Sequence, residues 1–261
     1  MYTEYWRLSR KPFENSPDPS YLYHSTDHRD ALNKLLYAVR ERKGCALLTG
    51  EYGCGKTTVI RALVRNLGGG KFDIAVVNNP RLTDVELLNE VLYQLGDDRQ
   101  SEKRLELSRI IGDVLYRNTN DGKHTLLIVD EAQLIRDEGA LEELRLLSNY
   151  QLEDRFLLTL LLAGQPELSE RLRAMPQLDQ RVAVRHHLKS FQLEDTANYI
   201  FHRLRLSGLD RPIFADEAVK LIFRASDGIP RKINNVCDLA LLAGANKKVE
   251  VIDVDLVKSV L

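Results

Sequence analysis

Apolar residues at Ala31, Leu32, Leu35, Leu36 and Val39 recur on one face of a helical repeat, with Asn33, Lys34, Arg40 and Arg42 on the other, and predict a helix from Asp27. The rhythm then changes. "CALLTG", "FDIAVVN", "HTLLIVDEAQ" and "FLLTLLLAGQ" read as strands, alternating with helical patterns at "TTVIRALVRNL", from Thr83 to about Leu95, "KRLELSRIIGDVLYRN" and "ALEELRLLSNY". Residues 126–129 are apolar on both faces, as expected for the middle of a parallel sheet covered by helices. A short strand "RVAVRHHL" completes an α/β domain near Lys189. Beyond Ser190 the segments "DTANYIFHRLRLSG", "DEAVKLIFRASDG", "PRKINNVCDLALLAGA" and "DVDLVKSVL" all read as helices, with no strand between them. The opening segment, rich in Pro, Ser and Tyr, reads as irregular but anchored by aromatics. The expected organisation is an amino-terminal segment over 1–26, an α/β domain over 27–190 and a small helical domain over 191–261.

Glycines and one lysine fill the gap between "CALLTG" and the helix after it. Gly50 through Gly55, Lys56 and Thr57 fit G-x-x-x-x-G-K-S/T, the phosphate-binding loop of nucleotide triphosphatases. Gly50, Gly53 and Gly55 are expected to adopt backbone angles closed to side chains, so that N–H groups turn inward around an anion. Lys56 would reach the β and γ phosphates, and the Thr57 hydroxyl would bind Mg²⁺. The run Gly50, Glu51, Tyr52, Gly53, Cys54, Gly55, Lys56, Thr57 and Thr58 is therefore the candidate nucleotide cradle.

Other candidates follow from where strands end. A parallel strand presents functional residues at its carboxyl end, and "HTLLIV" ends in Asp130 and Glu131. Asp130 would orient Mg²⁺ through water, while Glu131 would take a proton from the attacking water. Gln165 ends the neighbouring strand with an amide able to bond both a γ phosphate and a water. Arg181, at the start of the last strand, is either an arginine finger for a neighbouring subunit's nucleotide or a surface ion pair, with Arg185 in reserve. In "DGIPRKINN", Gly228 marks a turn and Pro230 suits a first helical position, leaving Arg231 and Lys232 in the first turn. Cations there oppose the helix dipole, which an anion such as a γ phosphate would offset.

Composition narrows the setting. The chain has 261 residues and a formal net charge of −1, which gives no electrostatic footprint for nucleic acid or an anionic membrane. Cys45, Cys54 and Cys237 are too scattered for a disulfide framework or a zinc site and point to a reducing compartment. The start lacks the apolar core of a signal peptide, and no window approaches the length of a membrane span, so a soluble, cytoplasmic chain is expected.

The motifs "KPF…PDP…YLY", "LLTGEYGCGKTT", "VDEAQ", "AGQPEL", "LDQRV" and "GIPRKINN", in this order, resemble the AAA+ ATPases of the ExeA/GspA type, the general secretion pathway A proteins. The resemblance runs over essentially the whole chain and is more specific for the ATPase module than for its client. It implies a three-layer αβα P-loop domain followed by a helical lid. It also implies that Lys56 and Thr57 are the Walker A pair, Asp130 and Glu131 the Walker B pair, Gln165 the first sensor, Arg181 the trans arginine finger and Arg231 the second sensor. ATP and Mg²⁺ are the implied cofactors, a ring or helical homo-oligomer with nucleotide at subunit interfaces the implied assembly, and a secretion, pilus or envelope complex the implied protein partner. Such a chain would meet the inner membrane through that partner. "KPFENSPDPSYLYHS" would pack near the adenine. Proteins of this type continue into a membrane helix and a periplasmic part, so the 261 residues are expected to be a soluble relative or an ATPase fragment. The rival reading is a nucleotide-switched DNA adaptor resembling transposition regulators. A P-loop kinase fits poorly, because no separate insert for a small substrate is visible.

Overall fold

The computed structural model describes residues 2–15, 23 and 25–261. Along the chain these form α1 (Tyr2–Trp6), α2 (Thr26–Arg40), β1 (Cys45–Gly50), α3 (Lys56–Asn66), β2 (Phe72–Val77), α4 (Asp84–Gln94), α5 (Arg104–Asn120), β3 (His124–Val129) and α6 (Glu138–Leu147). There follow β4 (Leu158–Gly164), α7 (Pro166–Arg173), α8 (Pro176–Asp179), β5 (Val182–Leu188), α9 (Leu193–Leu206), α10 (Asp216–Ser226), α11 (Pro230–Lys247) and α12 (Val254–Lys258). The residues separate into two compact units: one of 29–50 and 59–188, the other of 2–28, 51–58 and 189–261 within the described residues.

The first unit holds a five-stranded, all-parallel sheet in the order β2-β3-β4-β1-β5. β1, β3 and β4 are buried along their whole length, because helices cover both faces and every residue must be apolar or internally bonded. β5, one of the two edge strands, alternates between covered and open positions. Leu47, Leu127, Leu160 and Leu162 pack with Leu88, Leu92, Ile111 and Leu115 into one core. Parallel pairing lines up the carboxyl ends of the strands: Thr49 faces Gly164, and the Asp130 N–H donates to Val77 O at 3.0 Å. Gly50, Asp130 and Gln165 thus leave the same edge.

A buried polar group lies at the opposite edge. The His124 Nε2–H donates to Thr159 Oγ1 at 2.8 Å, and that hydroxyl donates to Lys43 O at 2.7 Å. Burial, with a lesser contribution from Arg42, holds the His124 pKa down at about 4. Between that value and about 6.5 the unfolded chain binds a proton here that the folded one does not, so stability falls as pH falls through this window. His124→Gln should lose less stability between pH 7 and pH 4, by up to roughly 3 kcal/mol. Urea unfolding of both proteins at the two pH values checks this, and parallel losses would contradict it.

The second unit packs around Trp6, Phe13, Phe191, Tyr199, Ile222, Ile233, Cys237 and Leu241. The buried Arg203 donates to Pro12 O, to Glu14 O and to the Tyr199 hydroxyl, fastening residues 12–14 to α9. The expectation that 11–25 pack near an adenine falls in part on residues 16–22 and 24, which lie outside the described residues.

Three details differ from the expected elements. The opening segment is not irregular throughout, since α1 buries Tyr2 and Trp6 one turn apart and the Trp6 Nε1–H donates to Leu241 O at 2.8 Å. α7 is a helix that the sequence pattern did not announce: Pro166 takes its first position, where a missing N–H costs nothing, and Leu168 and Leu172 bury its inner face. The four-residue α8 follows in the same way from Pro176.

Candidate functional site

Residues 51–58 of the phosphate-binding motif lie in the second unit as a tight loop entering α3. Gly53 and Gly55 have φ of 86° and 104°, the left-handed region that lets consecutive N–H groups converge on an anion. Gly50 does not share this role. Its φ is ordinary, and it is constrained instead by space in the sheet unit, where a Cβ would sit 2.7 Å from Leu188 O. Within the loop the Cys54 N–H donates to Glu51 O at 3.2 Å, and buried Lys56 donates from Nζ to Glu51 O at 3.1 Å. An ammonium folded back on its own loop is the donor a phosphate would draw on. Thr57 and Thr58 continue into the first turn of α3, whose positive dipole end faces the loop. Burial pushes the Cys54 thiol pKa up against the opposing pull of Lys56, so this cysteine is no ready nucleophile.

Two further groups in the same unit brace the loop. The Arg231 N–H donates to Gly53 O at 3.4 Å, and its guanidinium stacks 4.5 Å from the centre of the exposed Tyr52 ring. A Cβ on Gly53 would come within 2.8 Å of Arg231 Cβ, so the glycine also permits this approach. Pro230 opens α11, and Arg231 lies in its first turn beside Lys232, which pairs with Asp227 at 3.3 Å. On the other side, His28 Nε2 lies 3.0 Å from Cys54 O, and its Nδ1 lies 2.7 Å from Ser25 Oγ. A carbonyl only accepts, so Nε2 carries the proton and Nδ1 takes the serine hydroxyl's. His28 thereby holds the Cys54 carbonyl of the loop. Nothing in the spacing of "DHRDAL" signalled this, because the partner is a backbone atom far along the chain.

The carboxylates are in the sheet unit. Asp130 is buried at the end of β3, and its Oδ1 accepts the Glu131 N–H at 2.9 Å. Glu131 is half-buried in left-handed backbone, φ 52°, which swings its side chain out of the strand direction. Strained non-glycine residues of this kind concentrate at functional sites. Gln165 sits at the end of β4, as the sequence suggested, and precedes α7. Gln133, to which the sequence reading gave no role, bonds to both Glu131 and Gln165.

The two arginines of the last strand lie apart from these groups. Arg181 precedes β5 at its amino end, roughly 20 Å along the strand from the edge that carries Gly50, Asp130 and Gln165. Its Nη1 donates to Ser148 O at 3.2 Å, and among the described residues it makes no ion pair. Arg185 is committed to Asp179 at 2.8 Å.

The described residues thus combine a phosphate loop at the start of a helix with an aspartate–glutamate pair ending a buried parallel strand, the equipment of a P-loop nucleoside triphosphatase. The family model described as AAA domain matches residues 39–172, and the chain belongs to that family: it is a nucleotide-binding AAA ATPase. Over 247 residues it is 42% identical to General secretion pathway protein A of Aeromonas hydrophila, an alignment covering 93% of this chain and 45% of that protein. The chain therefore spans less than half the length of this relative. Among solved structures, the ORC2 protein of Aeropyrum pernix in its ADPNP-ADP complexes is 21% identical, with TM-score 0.70 over 97% of this chain and 71% of that one. Drosophila ORC bound to DNA is 19% identical, with TM-score 0.72 over 98% of this chain and 65% of that one. The RuvB Holliday junction branch migration motor of Thermotoga maritima is 19% identical, with TM-score 0.60 over 89% of this chain and 68% of that one. At these identities the shared property is the fold. No helix among the described residues is long and apolar enough to cross a membrane.

Proposed function

We propose that the chain is an oligomerising, Mg²⁺-dependent AAA+ ATPase that couples ATP binding and hydrolysis to assembly or remodelling of a secretion, pilus or other cell-envelope complex. The loop from Gly50 to Thr58 would hold the phosphates, with Lys56 on the β and γ groups. Thr57 and Asp130 offer the hard oxygen donors that Mg²⁺ prefers, and the ion would neutralise charge developing between the β and γ phosphates. Glu131 accepts the proton of the attacking water, and Gln165 bonds that water and the γ phosphate. Arg231 leaves Tyr52 for the γ phosphate and carries α11 with it, so that nucleotide state is read by the helices over 191–261. Arg181 acts on the nucleotide of the next subunit.

The observation that carries this reading is the contact of Arg231 with the loop, backbone on Gly53 and guanidinium on Tyr52, which sets a lid-helix cation against the candidate cradle. The secretion client rests on the likeness to General secretion pathway protein A, 45% of which the alignment covers. A cytoplasmic chain brought to the inner membrane by a partner follows from the same likeness. The alternative, a nucleotide-switched DNA adaptor, draws support from the DNA-bound ORC structure among the fold relatives. A net charge of −1 weighs against it, since phosphate contacts need several cations on one face.

ATP turnover per subunit over a wide range of protein concentration, with Mg²⁺ or EDTA and with or without duplex DNA, tests the proposal. The expected result is a rate that climbs with concentration, vanishes in EDTA and ignores DNA. A rate that is flat in concentration and raised by DNA would favour the adaptor.

A further inference from the structure

The role of Gln133 emerges from the turn after β3. Residues Ala132–Leu134 form a single 3-10 turn entered through the left-handed Glu131. The Gln133 Nε2–H donates to Glu131 Oε2 at 2.6 Å, while Gln133 Oε1 accepts the backbone N–H of Gln165 at 3.1 Å. The amide has one sensible orientation, because the reverse would set its oxygen against a carboxylate and its NH₂ against an N–H. Three features hold it there. Gly164 leaves the necessary space, since a Cβ would strike Gln133 Oε1 and approach Leu168 Cδ2 to 2.9 Å. Arg171, on α7, donates to Ile135 O and, at 3.5 Å, to Gln133 O, fixing the backbone of the turn. Ile135, just beyond the turn, is fully buried.

We propose that Gln133 is a positioning residue for hydrolysis: it locks the Glu131 carboxylate in one place and ties it to the end of β4, beside Gln165. The proposal rests on the reading of Glu131 as the base that activates water. Glu131 leaves β3 in a strained turn with only part of its side chain enclosed, so this bond is what limits its rotamers. A base displaced by about 1 Å costs on the order of 10²-fold in rate, because the near-attack geometry is lost. Ground-state binding of nucleotide, which falls to the loop, is unaffected.

Gln133→Leu removes the donor, and Gln133→Glu keeps the shape while setting a like charge against Glu131. Each is compared in the unsubstituted and the Glu131→Gln backgrounds by single-turnover hydrolysis of labelled ATP, together with the affinity for a non-hydrolysable analogue. The expected loss in turnover is about 10- to 100-fold, with KM and analogue affinity within about two-fold. In the Glu131→Gln background the same changes should cost less than about two-fold more, since the group they position is already gone. A purely structural amide would cost as much in both backgrounds, or would raise KM, and either result overturns the proposal. Should Gln133→Leu melt below the assay temperature, the isosteric Gln133→Glu decides alone: unchanged turnover refutes the proposal. A fully active Glu131→Gln protein would instead remove the base reading itself, a failure visible in the single variant before Gln133 is touched.

Discussion

Glu131→Gln is expected to bind ATP as tightly as the unsubstituted protein and to turn it over about 10²- to 10⁴-fold more slowly, the span that a well-placed general base contributes. The amide has the size of the carboxylate and can still accept the Gln133 N–H, so the turn after β3 keeps its shape. What it lacks is a site for the water's proton. Affinity should be preserved because the groups assigned to the phosphates, Lys56 and the amides around Gly53 and Gly55, are elsewhere in the sequence and untouched. Isothermal binding of ATP beside steady-state turnover separates the two quantities. A variant with normal turnover would take the base assignment away from Glu131, and one that no longer bound ATP would show that its carboxylate serves binding instead.

Legibility in the sequence followed the range of the physics involved. The strands at Cys45–Gly50, His124–Val129 and Leu158–Gly164 announced themselves because a strand buried on both faces must be apolar throughout. The phosphate loop was equally plain, since its chemistry needs fixed residue types within a few positions. α1 was hidden because five residues carry too little periodicity to read, and its stability comes from Trp6 and Tyr2 bonding to residues of α11. α7 was masked by Pro166, a residue that opens helices as readily as turns. The dihedral expected of Gly50 is not observed: its neighbour across the sheet, Leu188, and not its own φ, demands glycine there. His28 and Gln133 left no local trace at all. Each acts on backbone or carboxylate atoms brought to it by the fold, and no spacing rule reaches across that distance.

The placement of Arg181 gives the oligomer reading its sharpest content. It lies at the amino end of β5, on the edge opposite Asp130 and Gln165, and holds only a backbone carbonyl among the described residues, whereas Arg185 is paired with a carboxylate. An arginine that stabilises phosphoryl transfer from a neighbouring subunit contributes on the order of 10³- to 10⁵-fold to turnover. Arg181→Ala should therefore be inactive although its own loop is intact, and Lys56→Ala should be inactive although its own arginine is. The deciding measurement is the ATP turnover of the two variants mixed in equal amounts. In a random head-to-tail assembly half of the sites keep Lys56, and half of those face an intact Arg181, so the mixture should recover about a quarter of the unsubstituted rate. A mixture that co-assembles yet stays as inactive as its components would contradict a site completed between subunits.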